Sequence, residues 1–277
     1  MSFDLQGKVA IVTGASRGVG AAVAEELGRR GATVVCAARA TDAAPLPIPG
    51  TIDDTARRIT DAGGRALAVP TNLARDEDME HLVTATITEF GGVDVLVNNA
   101  AITFPGDMDL PIKRFDLIMD VDVRAPYLLT QLCAPHIAQR GGGRICNVSS
   151  VAALNDLPGL MVYGMAKIAM ERMTVTAARQ YRSDRIAVNT FRIDVPVASE
   201  GFVYNLPDID HSDWEPSDVA AGGIVWMITQ PDDYTGRNEG MQALRQREGI
   251  MESKAERVHR QSEAMIVESP IQLHPWM

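Results

Sequence analysis

Residues 8–31, KVAIVTGASRGVGAAVAEELGRRG, carry the local order on which the rest of the chain depends. Residues 9–12 form a short apolar run rich in β-branched side chains, the pattern of a buried strand. Three glycines follow, Gly14, Gly18 and Gly20, in the spacing G-x-x-x-G-x-G. Ala22, Val23 and Leu27 then recur at helical spacing within residues 21–30, and Gly31 stands where a helix C-cap is expected. Strand, glycine turn and helix N-terminus in succession make an anion site. Glycine lets the backbone approach a pyrophosphate closely, and the free N–H groups and dipole of the helix start attract negative charge. Glycines in a tight turn mean little alone; in a strand-turn-helix unit they point to a bound dinucleotide.

The alternation continues down the chain. Residues 32–38 (ATVVCAA) read as a second buried strand, 65–69 as a third, 93–97 (VDVLV) as a fourth, 144–148 as a fifth and 185–191 (RIAVNTF) as a sixth. Residues 51–62, 76–90, 112–139 and 161–182 read as helices, and residues 41–50, with Pro45, Pro47 and Pro49, as a loop. Strands alternating with helices imply right-handed crossovers. The expected fold is therefore α/β: a doubly wound, Rossmann-type, mostly parallel sheet with helices on both faces and ligand at the carboxyl edge.

We read residues 1–277 as a single domain of this kind. Past the sixth strand, residues 194–215 read as an acidic, loop-like lid over the substrate pocket. Its Phe202, Tyr204, Leu206 and Trp214 suit an apolar ligand. Residues 217–229 read as a helix with Ser217 as N-cap, 232–236 as a turn and 238–244 as a last strand. Residues 245–277 read as a charged, partly ordered C-terminal extension in which Ile250, Met251 and Val258 are too sparse to define a core.

Apolar residues make up 46% of the 277 and charged ones 22%, an ordinary globular balance with enough material for a substantial core. The net charge of −10, with no basic run longer than a pair, argues against nucleic acid or an anionic membrane as partner. The first residues, MSFDLQGK, lack an apolar signal core, and no apolar run approaches ~18 residues, so a cytoplasmic protein is expected. Cys36, Cys133 and Cys146 have neither a disulfide framework nor metal-ligand spacing. Asp208, Asp210, His211 and Asp213 read as a solvated acidic loop, since one histidine at irregular spacing suits no standard metal site. Asn147-Val148-Ser149 has the form of a glycosylation sequon but lies in a strand expected to be buried. Met161, Met165, Met170 and Met173 read as helix core or subunit contact.

The chemistry is carried by Tyr163-Gly164-Met165-Ala166-Lys167. Positions four apart on a helix share a face, one turn of ~5.4 Å away. A lysine ammonium there can lower a phenol from its usual ~10 toward neutrality by favouring the phenolate. A tyrosine so tuned serves as general acid or base on a carbonyl/alcohol pair. Ser150, at the end of the fifth strand, can donate a hydrogen bond to the same oxygen. A lone Y-x-x-x-K is weak. Here Thr13-Gly14, Gly18, Gly20, Asn98-Asn99-Ala100, Ser150, Tyr163 and Lys167 occur together, in the order and spacing of the short-chain dehydrogenase/reductase family, which the first 190 or so residues resemble. The proline-containing segment after the second strand further resembles a subgroup that includes citronellol-type and hydroxysteroid-like dehydrogenases.

The resemblance implies hydride transfer between a nicotinamide cofactor and a small-molecule alcohol or carbonyl. Tyr163 is then the proton donor or acceptor, Ser150 the substrate-oxygen partner, and Lys167 binds the nicotinamide ribose while tuning Tyr163. Asn98 supports the cofactor site. Cofactor contacts carried over fall on Gly14, Ser16, Arg17, Gly18, Val19, Gly20, Arg39, Asn72, Leu73, Asn99, Ala100, Tyr163, Lys167 and Val195. The resemblance also implies a homo-oligomer, dimer or tetramer, through the two long helices. Five positions depart from the family pattern. Asp122 takes the place of a catalytic asparagine that holds a water in a proton relay. Asn72 replaces an adenine-contacting aspartate, Ala101 a glycine, and Ile193-Asp194 a Pro-Gly that meets the carboxamide.

The cofactor choice follows from the second strand. An acidic residue at its end binds the ribose 2′-hydroxyl and selects NAD; here the strand ends Cys36-Ala37-Ala38-Arg39. Arg39 offers a planar fork for a 2′-phosphate, and Arg17 lies where the family's phosphate-selective members also carry a basic residue, so NADP(H) is expected. The leading expectation is an NADP(H)-dependent oxidoreductase of a small apolar substrate. The departures keep open a cofactor-binding protein of the same fold with little or no turnover, and a lyase or epimerase on this scaffold is a third reading.

Overall fold

The apolar runs assemble into one seven-stranded sheet in the computed structural model, which describes residues 2–252. The strands are β1 (Val9–Thr13), β2 (Thr33–Ala38), β3 (Arg65–Pro70), β4 (Val95–Asn98), β5 (Gly143–Ser150), β6 (Ile186–Ile193) and β7 (Asn238–Gly240). Their order is β3-β2-β1-β4-β5-β6-β7, and every pairing is parallel. The chain winds outward from β1 through β2 to β3, then crosses to β4 on the other side of β1. That reversal opens a crevice beyond the carboxyl ends of β1 and β4, where Rossmann-type folds bind ligand.

The helices are α1 (Gly18–Arg29), α2 (Ile52–Asp61), α3 (Asp76–Phe90), α4 (Ile112–Met119), α5 (Ala125–Gln139), α6 (Met161–Gln180), α7 (Glu200–Asn205), α8 (Ser217–Ile228) and α9 (Met241–Glu248). Strand alternation divides the core between two faces. Ala10 and Val12 of β1, Val34 and Cys36 of β2, and Val95 and Val97 of β4 join α1, α2 and α8 on one side. Ile11, Val35, Ala37 and Leu96 join α3, α5 and α6 on the other. A strand buried on both faces needs apolar residues at every position, which is why these runs are continuous rather than alternating.

Several sequence expectations are corrected. The glycine turn and helix overlap: α1 begins at Gly18, so Gly18 and Gly20 lie in its first turn. Residues 112–139 are not one regular helix. Between α4 and α5, residues Asp120–Arg124 form a π-turn in which the Ala125 N–H bonds the Asp120 carbonyl five residues back. Pro126 has no N–H to return to the Asp122 carbonyl, so a regular i→i−4 ladder cannot pass through this point. Ser217 is the first residue of α8 and not its cap; Pro216 holds the cap position. Residues 194–215 contain α7 and a bridge between Val197 and Glu215, and are not wholly loop. The last strand is only Asn238–Gly240, after which residues 241–248 turn into α9.

α9 also crosses the boundary drawn at residue 245. Its Met241 and Leu244 are buried, Met251 packs on the same cluster, and Arg245 pairs with the buried Glu215 at 2.8 Å. Isolated apolar residues here acquire a core by docking on one already built. Val258 lies outside the described residues. Among those residues no helix is long and apolar enough to cross a membrane, and no group of three or more His, Cys, Asp or Glu is placed to hold a metal ion.

Candidate active site

The glycine cradle is built by close approach. Gly14 has φ +68°, and a Cβ there would lie 2.8 Å from the Ala100 Cα and 2.9 Å from the Asn99 side-chain Nδ2. A Cβ on Gly20 would meet the Gly14 carbonyl oxygen at 2.2 Å. Thr13 ties the two strand ends together. Its hydroxyl donates to the Val97 carbonyl (3.2 Å) and accepts from the Asn99 and Ala100 amides (both 3.1 Å), while the Asn99 side chain donates to the Thr13 carbonyl (2.9 Å). At the start of α1, Arg17 makes no side-chain cap and the first turn holds no acidic residue. The helix therefore presents uncapped N–H groups to the crevice, as a pyrophosphate requires. The residues present fit a dinucleotide.

Ser16 and Val19 are buried, Val19 within the core. Val195 and Leu73 are likewise buried. The Asn72 side-chain oxygen accepts from the Ala74 N–H at 3.2 Å and its own N–H donates to Asp78 at 2.9 Å, leaving the amide group as the donor at this position.

Arg17 and Arg39 differ in a way that the sequence hides. Arg17 donates through Nε to the Pro49 carbonyl and through Nη2 to the Gly50 carbonyl, both at 2.8 Å. Gly50, at φ +105°, passes so close to the glycine turn that a Cβ would sit 2.4 Å from the Ser16 carbonyl oxygen. Arg17 thus clamps the proline loop onto the turn. Arg39 is exposed, and no carboxylate forms a salt bridge with it among the described residues. Arg17 is held below the usual guanidinium value by burial and by the like charge of Arg39, partly offset by Glu200.

Ser150, Tyr163 and Lys167 come from one strand end and one helix. Ser150, the last residue of β5, accepts from the Ala152 N–H at 3.3 Å and starts a short 3₁₀ turn, Val151–Ala153. That turn lies directly against α6: a Cβ on Gly164 would be 2.7 Å from the Ala152 carbonyl oxygen. Gly164, whose role sequence reasoning missed, is what lets Tyr163 and Ser150 share one site. Asp107 fixes the start of α6 from the loop after β4, accepting from the Gly159 N–H at 3.0 Å and the Met161 N–H at 3.3 Å. Beside Tyr163, Val162 and Ala166 pack with Ile102, Phe104, Leu110 and Phe115 in an apolar cluster.

Lys167 is fully buried. Its Nζ donates to the Val148 carbonyl at 3.1 Å, lies 3.7 Å from Asp122 Oδ2 and stands 5.3 Å from the centre of the Tyr163 ring. Asp122, also fully buried on the π-turn, accepts the Ile102 N–H at 2.8 Å through Oδ1. Burial pushes the Asp122 carboxyl up to about 6, against the opposing pull of Lys167 and the Ile102 amide. The expectation for Tyr163 is corrected as well. Burial raises the phenol above its ordinary value and outweighs the pull of Lys167; Asp122 raises it further, and the Ser150 hydrogen bond lowers it.

Behind the trio runs a polar chain that sequence reasoning also missed. Asn98 donates to Asn147 (2.8 Å), Asn147 to Thr174 (2.8 Å), and the Thr174 and Thr190 hydroxyls are hydrogen-bonded to each other (2.7 Å). It crosses β4, β5, α6 and β6 inside the core, so Asn147 is a structural residue here. Asp194 faces away from this chemistry. Its Oδ1 accepts the Gln242 N–H at 2.9 Å at the start of α9, and burial raises its carboxyl.

Part of residues 194–215 meets the cradle. A Cβ on Gly18 would lie 3.0 Å from the Ser199 Cβ and 3.5 Å from Glu200 Oε2, so the start of α7 stands over the glycine turn. Phe202 and Trp214 pack at 5.6 Å between ring centres, and His211 stands edge-on to Trp214 at 4.6 Å. Tyr204 is exposed. Among the methionines, Met170 is core and Met165 is exposed. The three cysteines are free and buried, and burial pushes each thiol up to about 12.

A glycine cradle at the switch point of a parallel sheet, facing a Ser–Tyr–Lys trio, defines the class of nicotinamide-dependent Rossmann oxidoreductases. The sequence profile described as short chain dehydrogenase matches residues 8–194, and the chain belongs to that family. The hydroxysteroid dehydrogenase-like protein 2 of Xenopus tropicalis is 32% identical over 250 residues, 89% of this chain and 59% of that protein. The chain therefore spans about six-tenths of the length of that curated relative. Among solved structures, a short chain dehydrogenase of Mycobacterium thermoresistibile is 31% identical with a TM-score of 0.79, covering 89% of each chain. A short-chain dehydrogenase/reductase of Serratia marcescens is 29% identical with a TM-score of 0.75, covering 86% of this chain and 97% of that one.

Proposed function

We propose that this protein is a cytoplasmic NADP(H)-dependent oxidoreductase acting between the alcohol and carbonyl forms of a small apolar substrate. The observation that carries the reading is the convergence of Ser150, Tyr163 and Lys167 on one site beside the glycine cradle. When bound, the nicotinamide supplies or accepts the hydride. Tyr163 hands its phenolic proton to the carbonyl oxygen as the alcohol forms, and takes it back in the reverse direction. Ser150 donates a hydrogen bond to the same oxygen, and Lys167 holds a positive charge within reach of the phenol and of a ribose. Arg39 reads the 2′-phosphate, while the glycines and the uncapped start of α1 receive the pyrophosphate. Residues 194–215 act as the lid, and the apolar cluster around Phe104 and Leu110 supports an apolar substrate. The whole described chain works as one domain with its C-terminal extension.

NADPH consumption across a panel of aldehydes and ketones tests this reading, alongside a direct NADPH titration. Turnover on any member supports it. Tight binding with no turnover moves the assignment to a cofactor-binding protein, the reading that Asp122, Ala101 and Ile193-Asp194 favour. Deuterium transfer from labelled cofactor to product excludes a lyase or epimerase.

The protein is further proposed to be a homo-oligomer, through the outer faces of α4, α5 and α6. Ile112, Tyr127, Met165, Ile168 and Val175 are all exposed on these helices, and a subunit interface there would bury them. Light scattering at micromolar protein is expected to give a dimer or tetramer. The mass of a single chain overturns this assignment.

A further inference from the structure

The buried pairing of Lys167 with Asp122 has a consequence for the working pH of the site, and it rests on the oxidoreductase reading above. We infer that Asp122 is the counter-ion of Lys167, and that by taking up the lysine's charge it holds Tyr163 in its phenol form to a higher pH. Three observations carry this. Both groups are fully buried, so neither charge is screened by water. Asp122 Oδ2 faces Lys167 Nζ at 3.7 Å and has no hydrogen-bond partner among the described residues, while Oδ1 is fixed by the Ile102 N–H. Among the described residues the hydrogen bond that Lys167 donates goes to the Val148 carbonyl, which carries no formal charge, and no second carboxylate pairs with it.

The groups that act on the phenol are few. They are Lys167 of its own helix, Asp122 of the π-turn and the Ser150 hydroxyl at the end of β5. Glu171, one turn further along α6, is held by Arg192 at 2.6 Å and by the Ser149 hydroxyl at 2.8 Å, so its charge is compensated where it stands. A lone buried ammonium favours the phenolate strongly; an ammonium paired with a carboxylate favours it weakly. An amide at position 122 would still accept the Ile102 N–H, through its oxygen, and leave the lysine's charge uncompensated. Asp122 is thus a positioning residue for charge, acting through Lys167.

The ratio of the two directions at any one pH belongs to the overall equilibrium, and no side chain changes it. What Asp122 sets is the pH at which each direction fails. Carbonyl reduction needs the phenol and keeps its full rate until the phenol ionises; alcohol oxidation needs the phenolate and starts only there. Substitution Asp122→Asn is expected to move both the alkaline limb of reduction and the onset of oxidation to lower pH by about one unit. The limbs are read from kcat/KM against pH in the full-length protein, with the melting temperature as a check on folding. Asp122→Ser serves where the amide does not fold, with the same shift expected.

A second readout needs no turnover. Tyrosine labelled with ¹³C at Cζ reports ionisation by NMR, and the Tyr163 signal is assigned by its loss in Tyr163→Phe. That midpoint is expected to fall by about one unit in Asp122→Asn. A lower rate at every pH with limbs and NMR midpoint unmoved would mean that Asp122 is structural, and overturns the inference. Absence of turnover in the unmodified protein overturns the oxidoreductase reading instead; the NMR midpoint then decides the charge pairing alone.

Discussion

Tyr163→Phe is expected to lower turnover by about 10²–10⁴-fold, the usual scale of a positioned general acid, while NADPH affinity changes by no more than a few-fold. The hydroxyl is the only group removed, and the cradle at Gly14, Gly18 and Gly20 and the clamp at Arg17 are built from other elements. The ring remains to pack beside Val162 and Ala166, so the melting temperature should barely move. Steady-state rates with a titration of cofactor binding separate the two effects. A variant that keeps most of its rate removes Tyr163 from the chemistry. Lys167→Ala is expected to behave differently and to damage both rate and cofactor affinity. It deletes a buried cation and leaves Asp122 buried without its counter-ion, a loss that also lowers the melting temperature.

Preference for NADP(H) over NAD(H) is the other large expected effect. No carboxylate stands at the end of β2 to repel a 2′-phosphate, and Arg39 is exposed there with its guanidinium available. One charge-assisted contact contributes about 1.5–3 kcal/mol, or roughly ten- to a hundredfold. The hydrogen bonds of Arg17 divide the labour between the two arginines. Arg39→Ala should lower kcat/KM for NADP(H) and leave NAD(H) nearly unchanged. Arg17→Ala should release Pro49 and Gly50 from the glycine turn and weaken both cofactors together, because a clamp on the loop does not distinguish them. A ratio of kcat/KM near one in the unmodified protein, or one favouring NAD(H), overturns the assignment.

The division between what could be read along the chain and what could not is a matter of range. Residues 9–12, the three glycines and the apolar spacing of residues 21–30 determined a strand, a cradle and a helix, because each depends on neighbours within one or two turns. Repeated down the chain, that alternation determined a doubly wound sheet, and the four-residue interval from Tyr163 to Lys167 put both on one helix face. Where local signals were sparse, the reading failed. Residues 241–248 have too few apolar positions to announce a helix, and form one because Met241 and Leu244 dock on a core built by α8 and the sheet.

The tertiary structure alone decided how the charged side chains of the site are used. Asp122 and Lys167 are 45 positions apart, and nothing in either neighbourhood indicates that the π-turn and α6 bring them to 3.7 Å. The same holds for Arg17, whose partners lie 32 and 33 residues away. The balance at Tyr163 was misjudged for the same reason. The spacing showed the attraction of Lys167, whereas the burial that opposes it is supplied by surrounding elements and exists only once they have packed.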